Sequence, residues 1–249
     1  MIAVFLETRD GKIKKSSLEA LSEAGRRAGD LGVAAAAVLA GEAVAGLAPG
    51  AFAAGAAKVY VLEDPGLAAY SSESYAAALA GFAGKEKPLG LFFAATAMGK
   101  DLAPRVAARL GAAMASDCTK IAAKDGTLVF TRPIYAGKAF LSLTLQSSPL
   151  VATLRPNIFP VVDVPPIQGE IVKIAVAVPE AAAKGRVVEV IGLVIKAAVP
   201  GVKIGETVYV ITGGGERLTC EVVGFKDEHV LLMPLGEVRE IGPESEVLP

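Results

Sequence analysis

The stretch from Leu89 to Thr119, LGLFFAATAMGKDLAPRVAARLGAAMASDCT, restricts the possible folds more than any other. Leu89 to Ala95 is an unbroken apolar run, short enough for a strand buried on both faces. A Thr/Gly loop follows, and Asp101 to Leu110 has the spacing of an amphipathic helix. Strand, loop and helix in that order form the repeating unit of an open α/β sheet. Ligands in such sheets sit beyond the carboxyl ends of the strands, where helix amides converge. Thr96 to Asp101 is therefore the first site candidate, with Thr96, Gly99 and Lys100 as possible contacts to a nucleotide in a crevice shared with Glu7 and Gly41. Loops like this also serve as plain connectors, and the residues leave both readings open.

The unit repeats upstream. Ile2 to Leu6 reads as a buried first strand closed by the turn Arg9-Asp10-Gly11. Ser16 and Glu19 have capping-box spacing, and Leu18, Leu21 and Ala24 or Ala28 then share one helical face until Gly32. Val33 to Ala40 between glycines reads as a second strand, Ala43 to Ala56 as a helix weakened by Pro49 and Gly50, Lys58 to Leu62 as a third strand, and Tyr75 to Phe82 as a helix. Alternation of this kind predicts a mostly parallel sheet with helices on both faces.

After Cys118 the pattern changes to strands separated by turns: Leu128 to Thr131, Phe140 to Leu145 and Val151 to Leu154, read as hairpins. The proline-rich Pro160 to Pro166 reads as a linker. Strand-like runs follow at Gly169–Val178, Arg186–Ile195, Val208–Thr212, Thr219–Phe225, His229–Met233 and Glu246–Leu248, a spacing that suggests a small β-barrel. The expected organisation is an α/β domain over 1–160, a linker and connecting strand over 161–184, and a small barrel over 185–249.

Lysine and arginine number 25 against 26 aspartate and glutamate, a net charge of −1. That balance offers no electrostatic footprint for nucleic acid and no polybasic membrane patch. No apolar run is long enough for a membrane span. Cys118 and Cys220 lie far apart and no signal peptide precedes the first strand, which predicts a reducing, cytoplasmic setting.

Catalytic motifs fail one by one. Gly84-Lys85, Gly99-Lys100 and Gly137-Lys138 all lack the Ser/Thr that would complete a phosphate loop. Gly213-Gly214-Gly215 lies between two candidate strands, with Leu218 where a dinucleotide fingerprint needs glycine, and reads as a hairpin loop. His229 is the single histidine, beside a turn formed by Asp227 and Glu228, so multi-histidine metal sites are excluded and no metal site is expected. Cys118, next to Asp117, reads as an inert thiol. In Thr131 to Lys138, TRPIYAGK, two cations and an aromatic ring share one turn. That turn suits a subunit contact, an anionic ligand or a merely solvated hairpin.

The blocks ATAMGKDLAPRVAARLGAAMASDCT, LVFTRPIYAGKA and LVATLRPNIFP, in this order and spacing, resemble the N-terminal domain of the electron transfer flavoprotein alpha subunit from Ile2 to about Val190. The resemblance implies a nucleotide-binding-like α/β fold, a non-catalytic role in electron transfer, and a beta-type subunit as partner. It makes Arg132, Tyr135 and Arg155 partner-facing or structural. It implies FAD as cofactor, held in that family chiefly by a C-terminal domain without a counterpart in this sequence, so FAD is expected to bind weakly or not at all. GRVVEVIGLVIKAAVPGVKIGETVYV and CEVVGFKDEHVLLMPLGEVREIGP resemble the N-terminal β-barrel of flagellar and type III secretion ATPases, over about 185–249, which implies a ring-assembly module and a possible homo-oligomer. A joint between two such families reads as a chimera, designed, generated or fused. The alternatives to electron transfer are therefore an assembly scaffold without redox activity and, by fold analogy, a weak binder of AMP or ATP.

Overall fold

The computed structural model describes residues 1–162, 164, 169–176, 185–243 and 245–248. In chain order the elements are β1 (Ile2–Phe5), the ribbon β2 (Thr8–Arg9) and β3 (Lys12–Ile13), α1 (Lys15–Asp30), β4 (Ala35–Gly41), α2 (Ala48–Ala53), β5 (Lys58–Glu63), α3 (Ser72–Glu86), β6 (Gly90–Ala94), α4 (Ala97–Leu110), β7 (Met114–Cys118), β8 (Lys120–Lys124), β9 (Thr127–Ile134), β10 (Ala139–Thr144), β11 (Leu150–Leu154) and β12 (Glu170–Lys173). The barrel adds β13 (Gly185–Ile191), β14 (Val194–Ala198), β15 (Thr207–Ile211), β16 (Arg217–Lys226), β17 (His229–Pro234) and β18 (Glu246–Leu248). Two compact units divide the chain, 1–180 and 181–249.

Among the described residues, seven parallel strands form the main sheet in the order β12-β5-β4-β1-β6-β11-β7. Successive side chains point to opposite faces. Ile2, Val4 and Phe92 enter the core beneath α1 and α2, whereas Ala3, Phe5, Leu91 and Phe93 pack beneath α3 and α4. Both faces are covered, which is why these strands read as continuous apolar runs. A three-stranded antiparallel sheet, β10-β9-β8, sends Ile121, Leu128 and Phe130 into the first of these cores, where Phe130 meets Phe92 edge-on at 5.8 Å.

Local reading misplaced several elements. Val151 to Leu154, expected in a hairpin, belongs to β11 and lies parallel between β6 and β7. A buried apolar run carries no mark of its partner's direction, so only the tertiary pairing decides this. Ser16 and Glu19 do not form a capping box. Lys14 is the N-cap, the Ser17 hydroxyl accepts from the Glu7 amide at 2.9 Å, and Glu19 accepts from the Asn157 amide at 2.7 Å. The helical reading of Ala43–Ala56 shortens to a 3-10 turn followed by α2, with Pro49 in its first turn. In the proline-rich stretch, Val162 donates to the Ser22 hydroxyl and Val164 to the Ala53 carbonyl, while Asp163, Pro165 and Pro166 lie outside the described residues. Of the run Gly169–Val178, residues 170–173 pair with β5 as the sheet's outer strand, and Ala177 and Val178 also lie outside the described residues.

The second unit is a closed barrel in the order β13-β14-β17-β16-β15-β18, antiparallel throughout. Arg186–Ile195, expected as one strand, is broken by a turn at Gly192, whose φ of +61° suits glycine. Gly213–Gly215 connects β15 to β16 as expected for a hairpin loop. Val187, Ile195, Val208, Val210, Val222, Leu232 and Val247 fill the interior.

Candidate functional site

In the main sheet the strand order reverses between β1 and β6, and the helices that follow them, α1 and α4, lie on opposite faces. Such a reversal opens a crevice at the carboxyl ends of the two strands, the usual nucleotide position. Here the crevice is occupied by the protein's own acid. Glu7 is almost wholly buried; its carboxylate accepts from Lys14 Nζ at 2.8 Å and from the Thr96 hydroxyl. Thr96 is the N-cap of α4, and its hydroxyl oxygen accepts from the Gly99 amide at 3.1 Å. The expected loop from Thr96 to Asp101 is thus mostly the first turn of α4. Gly99 is there for space: a Cβ would collide with the Ala94 carbonyl oxygen. A negative charge fills the place a phosphate would take, and the cap uses one of the amides that would bind it.

Lys100 stands with different neighbours. At the end of β7 the register against β11 shifts, so that Ser116 and Asp117 oppose the single residue Thr153. This bulge gives Asp117 a φ of +58°, with its amide donating to the Thr153 hydroxyl at 2.7 Å. Asp117 then accepts from Arg155 twice, from Nε at 3.1 Å and from Nη2 at 2.5 Å. The Arg155 guanidinium holds the Asp117 carboxyl below its usual range, with smaller help from Lys100 and Arg132. Burial pushes the neighbouring Cys118 thiol up to about 12, which disfavours its thiolate.

Structure thus regroups the candidate residues. Thr96 and Gly99 serve the fold around Glu7, while Lys100, Arg132 and Arg155 surround Asp117. Tyr135 projects from the β9–β10 connection with 79% of its surface exposed, followed by exposed Phe140 and Leu141 on β10. Sequence reading missed the anchoring role of Asp117 and Thr153 because their partners lie 38 and 36 residues away. It also missed Lys14, which the ribbon β2–β3 folds back toward Glu7.

Residues 2–190 match the electron transfer flavoprotein domain. The chain belongs to that family. Its relatives include the electron transfer flavoprotein subunit alpha of Bacillus subtilis, 39% identical over 63% of this chain and 47% of that protein. The subunit alpha of Syntrophomonas wolfei is 41% identical over 62% of this chain and 48% of its own length. Protein FixB of Clostridium saccharobutylicum is 34% identical over 94% of this chain and 68% of its own length. The chain spans about half the length of the first two of these electron transfer flavoproteins. Residues 187–249 match the β-barrel domain of the ATP synthase alpha/beta family. The two matches overlap at Val187–Val190, within β13. No helix among the described residues is long and apolar enough to cross a membrane.

Proposed function

We propose that this chain is the alpha-type docking half of an electron transfer flavoprotein: a non-catalytic domain that pairs with a beta-type subunit and contributes to electron transfer through that complex. The observation that carries the reading is the family match across residues 2–190, which includes the TRPIYAGK turn. Exposed Tyr135, Phe140 and Leu141 support the β9–β10 ribbon as the contact, since large apolar side chains on one ribbon favour a protein partner over water. Arg132 and Arg155 then stand behind that contact as positioning residues around Asp117. Mixing the chain with a beta-type subunit and following mass by light scattering tests this. A one-to-one complex lost in Tyr135→Ala/Phe140→Ala supports it, and two separate peaks at high micromolar concentration would overturn it.

FAD is the cofactor the family implies, and the crevice between β1 and β6 does not fit it. A buried carboxylate occupies the phosphate position, and the Gly99 amide is already bonded. The same features disfavour AMP or ATP there. Visible absorbance after incubation with excess FAD and removal of free flavin checks this, with a colourless protein expected.

A second reading rests on the barrel: an assembly module that self-associates, natural to a chain fused from parts of two families. Ile191 and Met233 are exposed on neighbouring parts of the barrel surface, and Leu193 at the β13–β14 turn is 79% exposed. Sedimentation equilibrium decides it, because a monomer at high micromolar concentration removes it. We place the chain in the cytoplasm, with both cysteines free and buried in support.

A further inference from the structure

Between α4 and β7, the terminal strand of the sheet order, lies a cavity of about 420 Å³. Its walls come from Lys100 and Pro104 on α4, Met114 and Ser116 on β7, the bulged Asp117, and Thr153 on β11. Spacing explains the convergence. Lys100 and Pro104 are four apart and share a helical face; Met114 and Ser116 are two apart and share a strand face. Pro104, Met114 and the Thr153 methyl give the lining its apolar surface, and Lys100 and Ser116 add donors to it.

The charge balance around Asp117, one wall of the cavity, is uneven. Arg155 occupies Asp117 through two hydrogen bonds, so the one nearby carboxylate is matched. Lys100 and Arg132 have no ion pair among the described residues, and Arg132 Nε is buried with no hydrogen-bond partner. Three cations therefore stand around one anion. An apolar recess beside unmatched positive charge is complementary to a small molecule with an apolar body and an anionic head.

We propose that the cavity between α4 and β7 binds a short-chain organic carboxylate, its head on the Lys100 ammonium and the Ser116 hydroxyl and its chain against Pro104 and Met114. Lys100 suits the task, because its exposed, flexible stem can bring a point charge over the recess without disturbing α4. The lining shares no residue with the exposed Tyr135, Phe140 and Leu141 of the β9–β10 ribbon, so ligand binding can be read without the beta-type subunit.

Titration of the full chain with hexanoate, hexanol and hexylamine, followed by amide NMR shifts, tests the assignment. Hexanoate is expected to move the Ser116, Asp117 and Thr153 amides in a saturable manner, with hexanol at least about tenfold weaker and hexylamine inactive, since a charge-assisted hydrogen bond is at stake. Lys100→Gln should weaken hexanoate about tenfold and leave the hexanol titration unchanged, and Lys100→Arg should restore most of the loss. Met114→Glu, which sets a carboxylate against the chain, should abolish hexanoate binding while leaving the distant barrel amides in place. Equal binding of hexanoate and hexanol, an unchanged affinity in Lys100→Gln, or an absence of shifts at these amides would each overturn the proposal.

Discussion

The two units both bury apolar cores but treat polar groups in opposite ways. In the α/β unit Glu7, Glu19, Glu23, Ser17, Ser22, Ser74 and Thr153 are all buried. Several of these tie together segments far apart in sequence: Glu19 holds Asn157, Ser22 holds Val162, and Glu7 meets Thr96. The barrel core among the described residues is aliphatic apart from Cys220, and its charges lie outside. A closed barrel satisfies its backbone hydrogen bonds in ladders all the way round, so it needs few side-chain ties. A doubly covered sheet brings loops and helix ends together from distant positions, and their amides and carbonyls require partners. Buried polarity in the first unit is thus largely a consequence of long connections.

The strongest test of this contrast deletes core volume in each unit. Phe92→Ala removes a fully buried ring that touches Phe130 across two sheets, and Leu232→Ala empties the barrel centre; each is expected to cost about 3–4 kcal/mol. Hydrogen exchange read separately over β1–β11 and β13–β18 should place each loss in its own unit, and a loss shared equally would break the comparison. Next in size is Gly99→Ala. Its Cβ would meet the Ala94 carbonyl, so α4 must shift away from β6 at a cost of about 2–3 kcal/mol, measured by urea denaturation.

Thr96→Ala removes both the α4 cap and the donor to Glu7, for an expected loss of about 1–2 kcal/mol. Thr96→Ser should recover most of it; failure to do so would mean that the hydroxyl does not serve as the tie. The smallest effect concerns acid. The Asp117 carboxyl is held below its unfolded range, so its contribution is full above about pH 4 and fades as pH falls through the lower folded value. Both partners are partly exposed, which limits the pair to under about 1 kcal/mol. Asp117→Asn should therefore narrow the stability difference between pH 7 and pH 3 by that amount, whereas a barrel variant such as Glu221→Gln should leave it unchanged.

What could be read without coordinates was whatever depends on near neighbours in the chain. Apolar runs located β1, β4, β5 and β6 to within a few residues, because strands buried on both faces carry their burial in composition. The turn residues before β16, β17 and β18 did the same for most of the barrel. Lys100 and Arg155 were both legible as candidates, and the resemblance that organised them rested on blocks of residues contiguous in sequence. What only the tertiary structure decided was which candidates meet. The parallel placement of β11 between β6 and β7 sets Thr153 opposite the bulge, and the bulge turns Asp117 toward Arg155. Lys14, Glu7 and Thr96 converge for the same reason: β1 and β6 are neighbours only after the chain has crossed the sheet. Periodicity reports burial, and burial does not name the partner; pairing between distant strands is fixed by the packing of the whole unit, and the chemistry of its carboxyl edge follows from that pairing.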